Sequence, residues 1–222
     1  MDLQGIPKKC WRTSVVETYR NVTGNACLPK GHKLFTLGGP CARDGKVIPG
    51  SEYHYLTTSQ WGAKPFLTPR QYVSVERERR IHLENSRLKG ATWLYGDAGD
   101  NFAHYFREVD TSCPFTVFAD LMCGVVAAMP TIHKVFELTY ANSRDYSGEP
   151  TLVIFNLMAT NRWRVNQGGT FQDPLETIRQ DPQMKFYYRN GANLVHQWTY
   201  ENKTVGTGAG ISLLHTFVWL VS

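Results

Sequence analysis

Three strand-like runs in the middle of this chain each end on a carboxylate. Tyr72-Val73-Ser74-Val75 leads to Glu76, Thr92 to Tyr95 leads to Gly96-Asp97, and Phe115 to Ala119 leads to Asp120. An ionised carboxylate accepts charge-assisted hydrogen bonds, two at once from vicinal hydroxyls. Glycine beside it lets the backbone approach a ligand closely. In an open parallel sheet the carboxyl ends of the strands form the crevice where ligands bind. The three carboxylates therefore describe a site for a hydroxyl-rich, amine-bearing molecule such as a nucleoside.

The elements that must position them alternate between strand and helix. An opening helix is expected over Pro7 to Asn25, with Trp11, Val15, Tyr19 and Val22 at helical spacing on its inner side and Lys8, Lys9, Arg12 and Arg20 on a solvated outer side. His32 to Leu37 is a strand that runs into Gly38-Gly39-Pro40, a turn that gives a ligand access to backbone. Residues 41–70 are loop-like, rich in proline and glycine, with a short helix near Ser51 to Gln60 and a cluster of Tyr53, His54, Tyr55 and Trp61 that would fold over a ligand or pack the insertion down. Arg77 to Lys89 is a charged helix held by Ile81 and Leu88. Its arginines Arg77, Arg79, Arg80 and Arg87 form a solvated face that Glu78 and Glu84 neutralise by local pairing.

Further on, Phe102, Tyr105, Phe106 and Val109 mark one helix face, and Val125, Met129, Ile132 and Phe136 another, with a structural His133 beside it. Pro150 to Asn156 is apolar and β-branched enough to be a central strand. Asp173-Pro174-Leu175-Glu176 carries a helix start with an N-cap and a capping-box glutamate. Met184 to Arg189, Leu194 to Tyr200 and Ile211 to Val221 read as consecutive strands, linked by Asn190-Gly191 and by the glycine-rich Gly206 to Gly210, so the sheet should close with an antiparallel hairpin.

Composition agrees with one domain over 1–222, comprising an N-terminal helical extension at 1–27 and a loop insertion at 41–70. A chain of 222 residues, 42% hydrophobic and 13% aromatic, has ample material for a buried core. The net charge of +5 permits an anionic partner such as nucleic acid. Cys10, Cys27, Cys41, Cys113 and Cys123 are scattered, without a C-x-x-C pair, which fits a reducing, intracellular (cytoplasmic) setting and argues against a disulfide framework or a metal site. No apolar run approaches the roughly 18 residues of a membrane span, so no membrane partner is expected. The sequons at Asn21 and Asn202 are then chance matches.

The order of these features resembles the class I S-adenosylmethionine-dependent methyltransferases over roughly Leu28 to Ser222. Leu34 to Gly39 matches that family's first motif, Val73 to Glu76 the second, Tyr95-Gly96-Asp97-Ala98 the third and Phe118 to Gly124 the fourth. The resemblance implies an α/β, Rossmann-like, mostly parallel seven-stranded sheet with helices on both faces and an antiparallel C-terminal hairpin. It implies S-adenosylmethionine as cofactor, bound at Gly38 and Gly39, with Glu76 on the ribose hydroxyls, Asp97 and the Ala98 amide on the adenine, and Phe102 or Leu94 against the purine. Asp120 would then orient the methyl acceptor or take its proton. The implied acceptor is nucleic acid or a nucleotide component, and no metal is required.

Where the family has an acidic residue two positions before its first glycine, this chain has Thr36. The Lys-Asp-Lys-Glu set of RNA ribose methyltransferases is matched in part, by Lys8 or Lys9, Asp120 and Glu201, with Asn156 or a neighbour at the second lysine. Gly38-Gly39-Pro40-Cys41 is similar to the proline-cysteine motif of cytosine-C5 methyltransferases, but too little chain precedes it, and Cys41 reads as a loop thiol. Arg162-Trp163-Arg164 would hold phosphates and stack a base, or else form a surface loop around a buried tryptophan. The alternative to an enzyme is a methyltransferase-like domain without catalysis that serves as a binding or structural subunit.

Overall fold

The computed structural model describes residues 6–37, 41–43, 46–48, 50–59, 64–109, 114–145, 150–161, 173–203 and 211–222. Its strands are β1 (Lys33–Thr36), β2 (Cys41–Arg43), β3 (Lys46–Ile48), β4 (Tyr72–Glu76), β5 (Thr92–Tyr95), β6 (Phe115–Gly124), β7 (Thr151–Asn161), β8 (Ala192–Lys203) and β9 (Ile211–Val221). Its helices are α1 (Ile6–Thr23), α2 (Ser51–Thr57), α3 (Arg79–Asn85), α4 (Ala98–His104), α5 (Val125–Asp145), α6 (Pro174–Gln180) and α7 (Pro182–Arg189), with a π-helical turn at Tyr105–Val109. Seven strands make one sheet in the order β5-β4-β1-β6-β7-β9-β8, and β2 and β3 pair separately as a small antiparallel hairpin inside the insertion. The chain forms two compact units, Met1–Ala119 and Asp120–Ser222.

In the first unit β1 pairs in parallel with β4 and β6, and β4 in turn with β5. Leu34, Phe35, Tyr72, Val73 and Val117 are buried, as strands covered on both faces require. Because side chains alternate across the pleat, Phe35 and Tyr72 point to opposite faces. Phe35 meets Phe102 at 4.5 Å and Phe106 at 5.9 Å, which seats α4 and the π-turn on one side. Tyr72 meets Tyr53 at 5.4 Å and Trp93 at 5.3 Å, which seats α2 on the other. Helices thus cover both faces. α1 buries Val15 and Tyr19 as its spacing predicts, and Tyr19 packs edge-on against Phe66. Arg12, expected on the solvated side, is instead only 3% exposed.

In the second unit β7 and β9 are antiparallel from Thr151↔Val221 to Asn161↔Ser212, and β9 and β8 from Ala192↔Val221 to Lys203↔Ile211. α5 buries Ile132, Val135 and Phe136, and Phe136 lies against Phe155, Tyr187 and Trp219. The expected strand at Met184 to Arg189 is helix α7. Asp181 caps it by accepting from the Met184 amide (2.9 Å), Pro182 opens it, and Met184 and Tyr187 face the core at helical spacing. Asn190-Gly191 is accordingly a helix C-terminus, with Gly191 at φ +109°, and not a hairpin turn. Asp173 caps α6 as predicted, but Glu176 accepts from Gln180 within the helix (2.6 Å). His133 Nε2–H donates to Asp181 Oδ1 at 3.0 Å, which ties α5 to the cap of α7.

Candidate functional site

The two acidic strand ends of the first unit stand side by side, because Glu76 is in register with Tyr95. Glu76 is half-buried, and its Oε1 accepts from the Glu78 amide at 2.8 Å. Oε2 takes no hydrogen bond among the described residues. The following turn on β5 is fixed in three ways. The Gly96 amide donates to Glu76 O (3.1 Å), and Asn101 Nδ2 donates to both Tyr95 O (3.2 Å) and Asp97 O (2.8 Å). Gly96 has φ +124°, and a Cβ there would meet Asn101 Nδ2 at 3.1 Å, so the turn requires glycine. Asn101 escaped the sequence reading, since an asparagine inside a helical pattern carries no signal that it will bond backwards to the turn before it.

Asp97 is exposed and caps α4, with Oδ1 accepting from the Asp100 amide at 3.1 Å. One oxygen is thus structural, and the other accepts no hydrogen bond among the described residues. Ala98 opens α4 and is half-buried, and Leu94 is half-buried on β5. Phe102 corrects the sequence reading. It is 0% exposed, with Phe35, Phe106 and Phe115 around its ring, so it offers a ligand no surface and belongs to the core. Gly38 and Gly39 lie outside the described residues, as do Arg162, Trp163 and Arg164. The side chains of Lys8, Lys9, Cys41 and Glu201 are likewise outside them.

At the end of β1 the structure places a carboxylate that spacing did not reveal. Thr36 Oγ1 donates to Glu52 Oε1 at 2.6 Å, and Tyr72 OH donates to the same oxygen at 3.2 Å. Glu52 is 3% exposed, and its Oε2 lies 3.8 Å from Arg12 Nε. Arg12 Nη2 donates to Ser51 Oγ at 3.3 Å, while its buried Nε and Nη1 have no hydrogen-bond partner among the described residues. Burial, reinforced by the negative charge of Glu52, pushes the Tyr72 phenol well above its ordinary range and keeps it a donor. A threonine at the strand end is thereby served by a glutamate from the insertion helix.

In the second unit Asp120 lies within β6, which continues to Gly124 with α5 starting at the next residue. The strand therefore does not end at Asp120, as its apolar run suggested. Asp120 is half-buried, and its Oδ1 accepts from Asn156 Nδ2 at 2.8 Å. Asn156 is fully buried on β7, and its own oxygen accepts from Thr216 Oγ1 of β9 at 3.1 Å. Three strands thus fix one carboxylate. Elsewhere in this unit His215 shares a hydrogen bond of 3.1 Å with Thr199 Oγ1 and lines a half-open cavity with Asp173, Gln197 and Phe217. Burial lowers the His215 pKa, and the Asp173 carboxylate partly opposes this. Among the described residues no group of three His, Cys, Asp or Glu side chains is placed to hold a metal, and no helix is long and apolar enough to cross a membrane.

No protein-family model matches this chain, and no curated protein matches it in sequence. Its fold does have solved counterparts. A candidate RNA methyltransferase from Pyrococcus horikoshii aligns over 94% of this chain and 83% of its own, with 14% identity and a TM-score of 0.50. An O-methyltransferase from Bacillus cereus, solved with SAH, aligns over 100% and 84% (13% identity, TM-score 0.43). TYW2 from M. jannaschii, solved with AdoMet, aligns over 93% and 76% (11% identity, TM-score 0.41). With its strand order and closing antiparallel pair, the chain has the fold of the class I S-adenosylmethionine-dependent methyltransferases, the one that the order of its motifs resembles.

Proposed function

We propose that this chain is an S-adenosylmethionine-dependent methyltransferase whose acceptor is nucleic acid or a nucleotide component. The observation that carries the reading is Glu76: a half-buried carboxylate at a parallel strand end, one oxygen held by backbone and the other open, beside a glycine turn that needs its glycine. The donor set fits the nucleoside half of the cofactor. Glu76 would accept from ribose hydroxyls, the second oxygen of Asp97 from an exocyclic amine, and Leu94 would give the base an apolar contact. Phe102 has no part in it.

When bound, the cofactor supplies an electrophilic methyl group on a sulfonium sulfur. In-line transfer depends on positioning, so the chain's contribution is to hold its partners rigidly. Asp120 suits that role. The Asn156 amide, itself anchored by Thr216, keeps the carboxylate in one orientation, from which it would accept a hydrogen bond or a proton from an acceptor N–H or O–H.

The test is calorimetry with S-adenosylmethionine and S-adenosylhomocysteine on the wild type, Glu76→Ala and Asp97→Asn, the last of which keeps the helix cap. Both substitutions are expected to weaken binding by about 1 kcal/mol or more, roughly fivefold. A folded wild-type chain that shows no heat at millimolar cofactor would overturn the reading in favour of a non-catalytic binding or structural role.

A further inference from the structure

The segment from Arg77 to Lys89 carries five cations and two glutamates, net +3 in a chain whose whole net charge is +5. Local pairing with Glu78 and Glu84 would make this an ordinary solvated face. The structure shows no such pairing: Arg77, Arg79, Arg80 and Arg87 are all exposed, and their side chains form no ion pair or hydrogen bond among the described residues. Their positions are ordered. Residues four apart share a helix face, so Arg79 and Leu83 lie together on α3, and Arg87 follows in the turn after it. Leu83 is 53% exposed. His82, next to it, lies 5.5 Å from the ring of Tyr95, which is itself 52% exposed at the end of β5. A basic stripe with a large bare aromatic ring alongside therefore occupies the surface next to Glu76, the last residue of β4.

We propose that this stripe, Arg79, Leu83 and Arg87 with Tyr95 beside it, is a docking surface for single-stranded nucleic acid. The inference rests on the methyl-transfer reading for its choice of a nucleic acid. Unpaired arginines meet phosphates by charge-assisted hydrogen bonds and release counterions from the strand. An exposed ring stacks on a base, and only an unpaired strand presents base faces freely. Tyr95 and Leu83 together are too small an apolar surface to hold a lipid bilayer, and arginines at both ends of the stripe match a chain of evenly spaced anions.

The experiment is fluorescence anisotropy with a labelled twelve-nucleotide RNA of mixed sequence at several salt concentrations. The proteins compared are the wild type, the double variant Arg79→Gln/Arg87→Gln, Tyr95→Ala and Tyr95→Phe. Removing two phosphate contacts should lower the slope of log affinity against log salt by about 1.4. Tyr95→Ala should weaken binding by about 5- to 150-fold, and Tyr95→Phe should leave it unchanged because the ring remains. Wild-type affinity in both the double variant and Tyr95→Ala would overturn the proposal, as would binding to phosphatidylserine vesicles with the same dependence on Tyr95. Calorimetry with S-adenosylhomocysteine on the same proteins separates the two readings. Cofactor bound normally by variants that have lost RNA supports the surface. RNA bound through the stripe by a chain that takes no cofactor would remove the methyl-transfer reading and leave the docking surface standing.

Discussion

Removing Glu52 is the most searching perturbation of the first unit. Its Oε1 accepts two hydroxyls, from Thr36 and Tyr72, and its Oε2 is the only carboxylate oxygen recorded beside the buried guanidinium of Arg12 among the described residues. Glu52→Ala leaves that cation unpaired, and removing one partner of a buried pair costs about 3–5 kcal/mol. The two orphaned hydroxyls would each add about 1–3 kcal/mol in isolation, but groups in one network do not add, so about 4–5 kcal/mol in all is expected. Against a typical domain stability of about 5–15 kcal/mol, that is roughly a quarter or more of the total. Glu52→Gln keeps an acceptor for the hydroxyls and loses only the charge, and should fall between Glu52→Ala and the wild type. Arg12→Met/Glu52→Leu removes both ions and should be more stable than Glu52→Ala alone. Urea unfolding followed by circular dichroism and by tryptophan emission gives the numbers where the two transitions coincide. A loss below about 1 kcal/mol for Glu52→Ala, or a double variant no better than the single, would refute this account of the cluster.

Two other outcomes follow from the second unit. Gly191→Ala should destabilise by about 1–3 kcal/mol in the same urea experiment, because φ is +109° and a Cβ would lie 2.4 Å from Ser222 O; a change under about 0.5 kcal/mol would contradict it. His215 should titrate below the ordinary histidine value of about 6.5 in an NMR pH series, and Asp173→Asn, which retains the helix cap, should lower it further, since Asp173 is the group that raises it. With the folded value depressed, the stability tied to this group is complete above about pH 6.5 and is lost as the pH falls from there through the folded value.

What was legible in the sequence was whatever is local and periodic. The runs at Tyr72, Thr92, Phe115 and Thr151 became strands, and the carboxylates Glu76 and Asp97 arrived at adjacent ends, because strand alternation and turn residues are written over a few positions. Met184 to Arg189 failed for a specific reason. Its Phe-Tyr-Tyr core has strand propensity and an Asn-Gly follows it, but the Asp181 cap and the proline at the first helical position outweigh both. Phe102 has the helical spacing of its neighbours, but the face that spacing offers to a ligand is filled by Phe35 and Phe115, which come from distant strands. Glu52 and Arg12 were beyond reach. Their partners are 16 to 40 residues away, and charged residues are almost never fully buried unless paired, so Arg12 was expected in solvent and nothing local singled out Glu52.

The strand order also has a bearing on how the chain acquires this fold. One edge of β7 is completed by β9, yet β9 begins at Ile211, fifty residues after β7 ends at Asn161, and β8 is made in between. Until β9 is available, the buried apolar run Leu152 to Leu157 has an unpaired edge. During synthesis at about 5–20 residues per second, that edge waits several seconds for its partner. Closure then depends on a late insertion between two strands already formed, a non-local step of the kind that slows folding. The interval before β9 arrives is when this chain is most exposed to strand-to-strand aggregation and to capture by chaperones.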